Sequence, residues 1–162
     1  MRILTGKLTV NNVKATLNTM NEIAERTNST IVLADATKIA GRKHIEEAIK
    51  HAKRSFNENK AIARTLAMEI LVYISGQRQC SLASKLGLHD GENIIYVIID
   101  GKNEEKAEFE IKKYIEETEE PKADITKLMK QYNISTEEIN IVGNARIEDL
   151  VIERVVMIDT WK

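Results

Sequence analysis

Glu69 is the residue of this chain whose setting demands the most of its chemistry. It stands among Met68, Ile70, Leu71 and Val72. A carboxylate in apolar surroundings must be paired, hydrogen-bonded or pushed toward its neutral form. Beside a nucleophile or a second acid it would serve as a general base. No such group lies near it in the sequence, so the residues favour a structural role, hydrogen-bonded or paired with an arginine such as Arg64 or Arg78. Cys80 opens a predicted helix, a position that can lower a thiol pKa, yet a small buried hydrophobe fits the same place. His44 and His51 stand seven residues apart on one helix. That is about 10 Å along the axis, too far for one metal ion without a third element between them. His89 falls in a turn, and the seven glycines stand singly, so no phosphate-cradling loop is present. No catalytic, metal or cofactor set emerges from these residues.

Charge is the second source of chemistry, and it is unevenly placed. Arg42–Lys85 carries nine Lys or Arg against four Glu, whereas Glu104–Glu120 carries eight Glu against three Lys. A patch of Lys43, Lys50, Lys53, Arg54, Lys60, Arg64 and Arg78 could neutralise several phosphates. The alternative is a solvated helix face of mixed charge. Seven aromatic residues in the whole chain provide no evident platform for stacked bases.

The elements that must position these residues are legible from periodicity. Arg2–Leu8 is predicted as a strand, and a helix capped by Thr9 runs to about Thr27. Thr30–Ala36 is a second strand. In the predicted helix Arg42–Asn59, Ile45, Ala48, Ile49, Ala52 and Phe56 share one side, with Lys43, Lys50, Arg54 and Asn57 opposite. An apolar helix at about Ile62–Ile74 must be buried between others, and a short one follows at Gln79–Leu86, closed by Gly87. Asn93–Asp100 is the strongest strand pattern, apolar on both faces. Then come an acidic helix at Lys102–Glu117, a short helix at Ala123–Tyr132, a fourth strand at Glu138–Val142 and a last helix at Ala145–Thr160. In that last helix Ile147, Leu150, Val151, Ile158 and Trp161 form a stripe, and Ile152, Val155 and Val156 widen it. It is either deeply inserted or covered by a partner.

The sum is an α/β (α+β) chain: about four strands in a mixed sheet, a central helical insert and a C-terminal helix, read as a single domain over residues 1–162. Apolar residues at 43% and charged residues at 30% are ordinary for a globular protein and argue against wholesale disorder. One cysteine permits no internal disulfide, and no apolar run reaches the length of a membrane span. The expectation is a cytoplasmic protein with no membrane partner.

The run Ala52–Leu88 presents Lys60, then Arg64-Thr65 before a helix with Glu69 near its middle, then Ser75, a polar turn at Gln77–Gln79, and Gly87-Leu88. It resembles the signature region of the small kinase-regulating subunit of the KEOPS complex, the family of the p53-related-kinase-binding protein. The strand NIIYVIID, the acidic helix, ITKLMKQYNIS and the last helix follow in that family's order. Gly76 stands where many relatives have proline. The resemblance implies a non-catalytic subunit without a cofactor. Its partners would be the small atypical kinase/ATPase of the complex and the 3′ CCA end of tRNA, with the tRNA-modifying ATPase reached indirectly. The modification is threonylcarbamoylation of the adenosine beside the anticodon. Lys60, Arg64 and Arg78 match family-like positions for RNA contact; Lys43, Lys50, Lys53 and Arg54 rest on charge alone. Leu150, Val151, Val155 and Ile158 are the expected kinase-facing residues. A reading from another class is a small cytosolic ligand-binding domain or enzyme that uses Glu69 or Cys80.

Overall fold

A computed structural model describes residues Met1–Thr160; Trp161, expected in the last helix's stripe, lies outside them. The chain divides into two compact units, Met1–Ala36 with Gly87–Pro121, and Thr37–Leu86 with the residues from Lys122 onward.

The first unit is built on a four-stranded sheet. Its strands are β1 (Arg2–Val10), β2 (Ser29–Asp35), β3 (Gly91–Gly101) and β4 (Glu116–Glu117), in the order β2-β3-β1-β4. Every pairing is antiparallel, where a mixed sheet was expected. β1 and β2 run the same way, but β3 lies between them, so no parallel pair forms. Helices α1 (Val13–Thr27) and α5 (Glu104–Ile111) belong to this unit. They bury Met20, Ile23, Ala107 and Ile111 against Leu8, Val10, Ile95, Val97 and Ile99.

Two boundaries differ from expectation. Asn12, not Thr9, caps α1, its side chain accepting from the Ala15 amide at 2.9 Å. The acidic helix stops at Ile111, and Glu116–Glu117 instead adds β4 beside β1. Gly6 permits that approach, since a Cβ there would stand 2.8 Å from the Glu116 carbonyl oxygen.

The second unit is helical. It contains α2 (Arg42–Asn57), α3 (Leu66–Ser75), α4 (Cys80–Ala83), α6 (Ile125–Tyr132), α7 (Thr136–Val142) and α8 (Ile147–Thr160). Residues 138–142, expected as the fourth strand, belong to α7. Ser135 and Glu138 form a reciprocal capping box that nucleates the helix. Ile139 is buried and Ile141 is exposed, so the alternation that suggested a strand separates a core residue from a surface one. α2 packs on both α3 and α8, and α3 also meets α8. The predicted stripe Ile45, Ala48, Ile49 and Ala52 faces inward.

Candidate functional site

Two buried polar contacts fix α2 against α3. Near the start of α2, the His44 Nε2 lies 2.9 Å from the Ile74 carbonyl oxygen, and Nδ1 accepts from the Ala40 amide at 3.1 Å. Nε2 therefore carries the proton. Near its end, the Ser55 hydroxyl donates to Glu69 at 2.8 Å. Pairing 44 with 74 and 55 with 69 makes the helices antiparallel. His44 is fully enclosed, and burial lowers its pKa to about 4 against the opposing Ile74 hydrogen bond.

Glu69 is also fully enclosed. Besides Ser55 it accepts the Ala63 amide at 2.9 Å and the Ile62 amide at 3.0 Å. Its carboxylate thus ties down the connection between α2 and α3. One further contact and one backbone conformation shape that segment: the Lys60 amide donates to the Ser55 carbonyl at 2.9 Å, and Asn59 is left-handed with φ 57°. Thr65 then caps α3 through the Met68 amide. A general base must reach a substrate proton, and a carboxylate closed in by these donors does not. Cys80 is a half-buried free thiol.

The basic candidates separate into groups. Lys60 and Arg64 are exposed on the α2–α3 connection, on either side of the clamped Ile62-Ala63 pair. Arg78 is exposed beyond the other end of α3, a helix about 15 Å long for its ten residues. Lys43 and Lys50 are exposed two turns apart on α2, and Lys53 is half-buried. The antiparallel packing sets Lys43 toward the Arg78 end and Arg54 toward the Lys60 end.

Arg54 is committed within the protein. Its guanidinium donates to Asp159 at 2.8 Å, and the same carboxylate meets His51 Nδ1 at 2.6 Å and the Tyr73 hydroxyl at 2.5 Å. Burial raises the Asp159 pKa, but the hydrogen bonds from Tyr73, His51 and Arg54 outweigh it and hold the carboxylate below its usual range. Burial and the Asp159 contact push the Tyr73 hydroxyl well above its ordinary value. A cavity of about 560 Å³ opens here, lined by Arg54, Ser55, Glu58, Lys60 and Asp159. Among the described residues its lining holds two cations and two carboxylates.

Leu150, Val151, Val155 and Ile158, expected on a partner surface, are buried instead. α8 packs on α2, α3 and α6, so these residues build the interior of the helical unit. The outward apolar side chains on this helix are Val156 and Met157.

A family model described as kinase binding protein CGI-121 matches residues 9–159. The chain belongs to that family. No curated protein matches it. The CGI-121 match spans both units, so the sheet and the helical unit are parts of one family pattern. Among the described residues of this CGI-121 family member, no helix is long and apolar enough to cross a membrane.

Sequence reasoning missed the residues that organise this CGI-121 surface. Ser55 and Asp159 carry no local signal, since their partners lie 14 and 108 residues away in the chain. Tyr132 is another: its hydroxyl lies 2.7 Å from the Lys38 carbonyl oxygen and 2.8 Å from that of Ile74. For Tyr132, burial of an aromatic with a polar tip is the one available hint.

Proposed function

We propose that this CGI-121 family member is the small, non-catalytic, kinase-binding subunit of a cytoplasmic KEOPS tRNA threonylcarbamoyladenosine-modifying complex. In this reading the whole chain works as one KEOPS small-subunit-like domain. It supports the small atypical kinase/ATPase and holds the single-stranded 3′ CCA end of tRNA, so the tRNA-modifying ATPase acts on a captured substrate. The observation that carries the RNA part is the exposure of Lys60 and Arg64 on an ordered connection, with Lys43 and Lys50 exposed on α2 and Arg78 exposed past the end of α3. Cations so held would contact phosphates and position the strand without reading its sequence. Lys53 is a supporting contact, and Arg54 would join it only by exchanging its Asp159 partner for a phosphate. The family description supports the kinase part. For the contact itself, Val156 and Met157 on α8 offer apolar surface, while Leu150, Val151, Val155 and Ile158 hold that helix in place.

Charge reversal tests the RNA part. Arg64→Glu or Arg78→Glu should weaken tRNA binding by roughly tenfold at moderate salt and flatten its salt dependence, with little change in melting temperature. Removing the CCA end should weaken binding as well. Unchanged affinity in both variants, or equal binding of trimmed tRNA, would remove this part of the reading. For the kinase part, purification of the tagged chain from its source cells should recover a small protein kinase together with a tRNA-modifying ATPase. Recovery of neither would sink it.

A further inference from the structure

Glu69 uses a buried carboxylate where an apolar side chain would suit the surrounding helix. Burying an ion carries a desolvation penalty that hydrogen bonds only offset. What this ion contributes is local geometry. Its named donors are the Ser55 hydroxyl at the end of α2 and the adjacent amides of Ile62 and Ala63. Those two amides lie midway between Lys60 and Arg64, whose side chains are exposed. The Lys60 amide is itself held by the Ser55 carbonyl, and Thr65 is the helix cap. The Glu58 and Asn59 amides continue the turn of α2 onto the Arg54 and Phe56 carbonyls, and from Lys60 onward the anchors named here lead to Ser55, Glu69 or the α3 N-terminus.

The geometry points to Glu69 as a positioning residue: it fixes the α2–α3 connection so that Lys60 and Arg64 stand at a set separation, preformed for successive phosphates of a single-stranded nucleic acid. This inference deepens the RNA reading above and rests on it. A connection already ordered loses less conformational freedom on binding than a mobile one. Arg64 should therefore contribute fully only while Glu69 holds the backbone beneath it.

The test is a double-mutant cycle between Glu69→Gln and Arg64→Ala, read as affinity for tRNA bearing an intact 3′ end, together with amide hydrogen exchange of the free protein. Glu69→Gln preserves volume but turns an amide donor toward other donors, so the connection loosens while the helices remain packed. The expected results are faster exchange at Ile62 and Ala63, tRNA affinity reduced severalfold, and a loss from Arg64→Ala that is large in the parent and small in the Glu69→Gln background. A merely structural Glu69 would leave the two losses additive, and additivity overturns the proposal. If Arg64→Ala has no effect in the parent, the RNA reading fails at that residue. Exchange then decides about Glu69 separately: accelerated exchange confined to 58–65 supports its ordering role, and unchanged protection overturns it.

Discussion

Glu69→Ala is expected to lower the unfolding free energy by roughly 4 kcal/mol, a large share of what a domain of this size possesses. The truncation leaves the Ile62 and Ala63 amides without this acceptor and takes from the Ser55 hydroxyl its contact with the carboxylate. Each unsatisfied group in a closed site costs about 1–3 kcal/mol. A cavity adds to this, because α2 and α3 are pinned at their far ends by His44 and Ile74 and cannot collapse freely. Glu69→Gln keeps the volume and part of the acceptor set, so its loss should be less than half as large. Urea denaturation of the three proteins checks the ranking. A loss below about 1 kcal/mol for the alanine variant would mean that water replaces the carboxylate and that the site is not closed.

The second large effect is acid destabilisation through His44. Burial lowers its folded pKa to about 4, while in the unfolded chain it titrates near its ordinary value of about 6.5. Between those values the unfolded chain binds the extra proton, so stability rises with pH. The contribution is complete above pH 6.5 and is lost as pH falls toward 4. The separation of the two values corresponds to roughly 3 kcal/mol. Protonation would also give Nδ1 a hydrogen facing the Ala40 amide donor, so the neutral imidazole is the form this site accepts. Asp159 loses its stabilising hydrogen bonds in the same direction, but at lower pH, because an unfolded aspartate titrates near 3.9. Chemical denaturation at pH 7.5, 6 and 5 should show a decline in the parent that His44→Gln largely abolishes. Parallel declines in both proteins would refute the assignment.

How much of this was legible beforehand follows from the range of each interaction. The inward stripe of α2 was readable because helical periodicity repeats every few residues, and its outward Lys43 and Lys50 followed by the same geometry. β3 was readable because both of its faces are apolar. α7 was misread, since short alternation imitates a strand, although Ser135-Thr136-Glu137-Glu138 carried the capping signal. β4 had no signal at all: two glutamates become a strand only because β1 lies beside them.

The candidate surface divides in the same way. The charge asymmetry, the oddity of a carboxylate in an apolar helix, and the family pattern around Lys60, Arg64, Glu69 and Gly87 are properties of residue type and spacing, so the sequence alone determined them. The helix α8 shows the limit of such reading. Its broad apolar circumference left open whether the chain or a partner covers it, because periodicity marks a face without naming what lies against it. Packing on α2, α3 and α6 decided that Leu150, Val151, Val155 and Ile158 are interior. Packing likewise committed Arg54 to Asp159 and gave Glu69 its donors from Ser55, Ile62 and Ala63. These outcomes depend on contacts between segments distant along the chain, whose encounter is set by the whole fold.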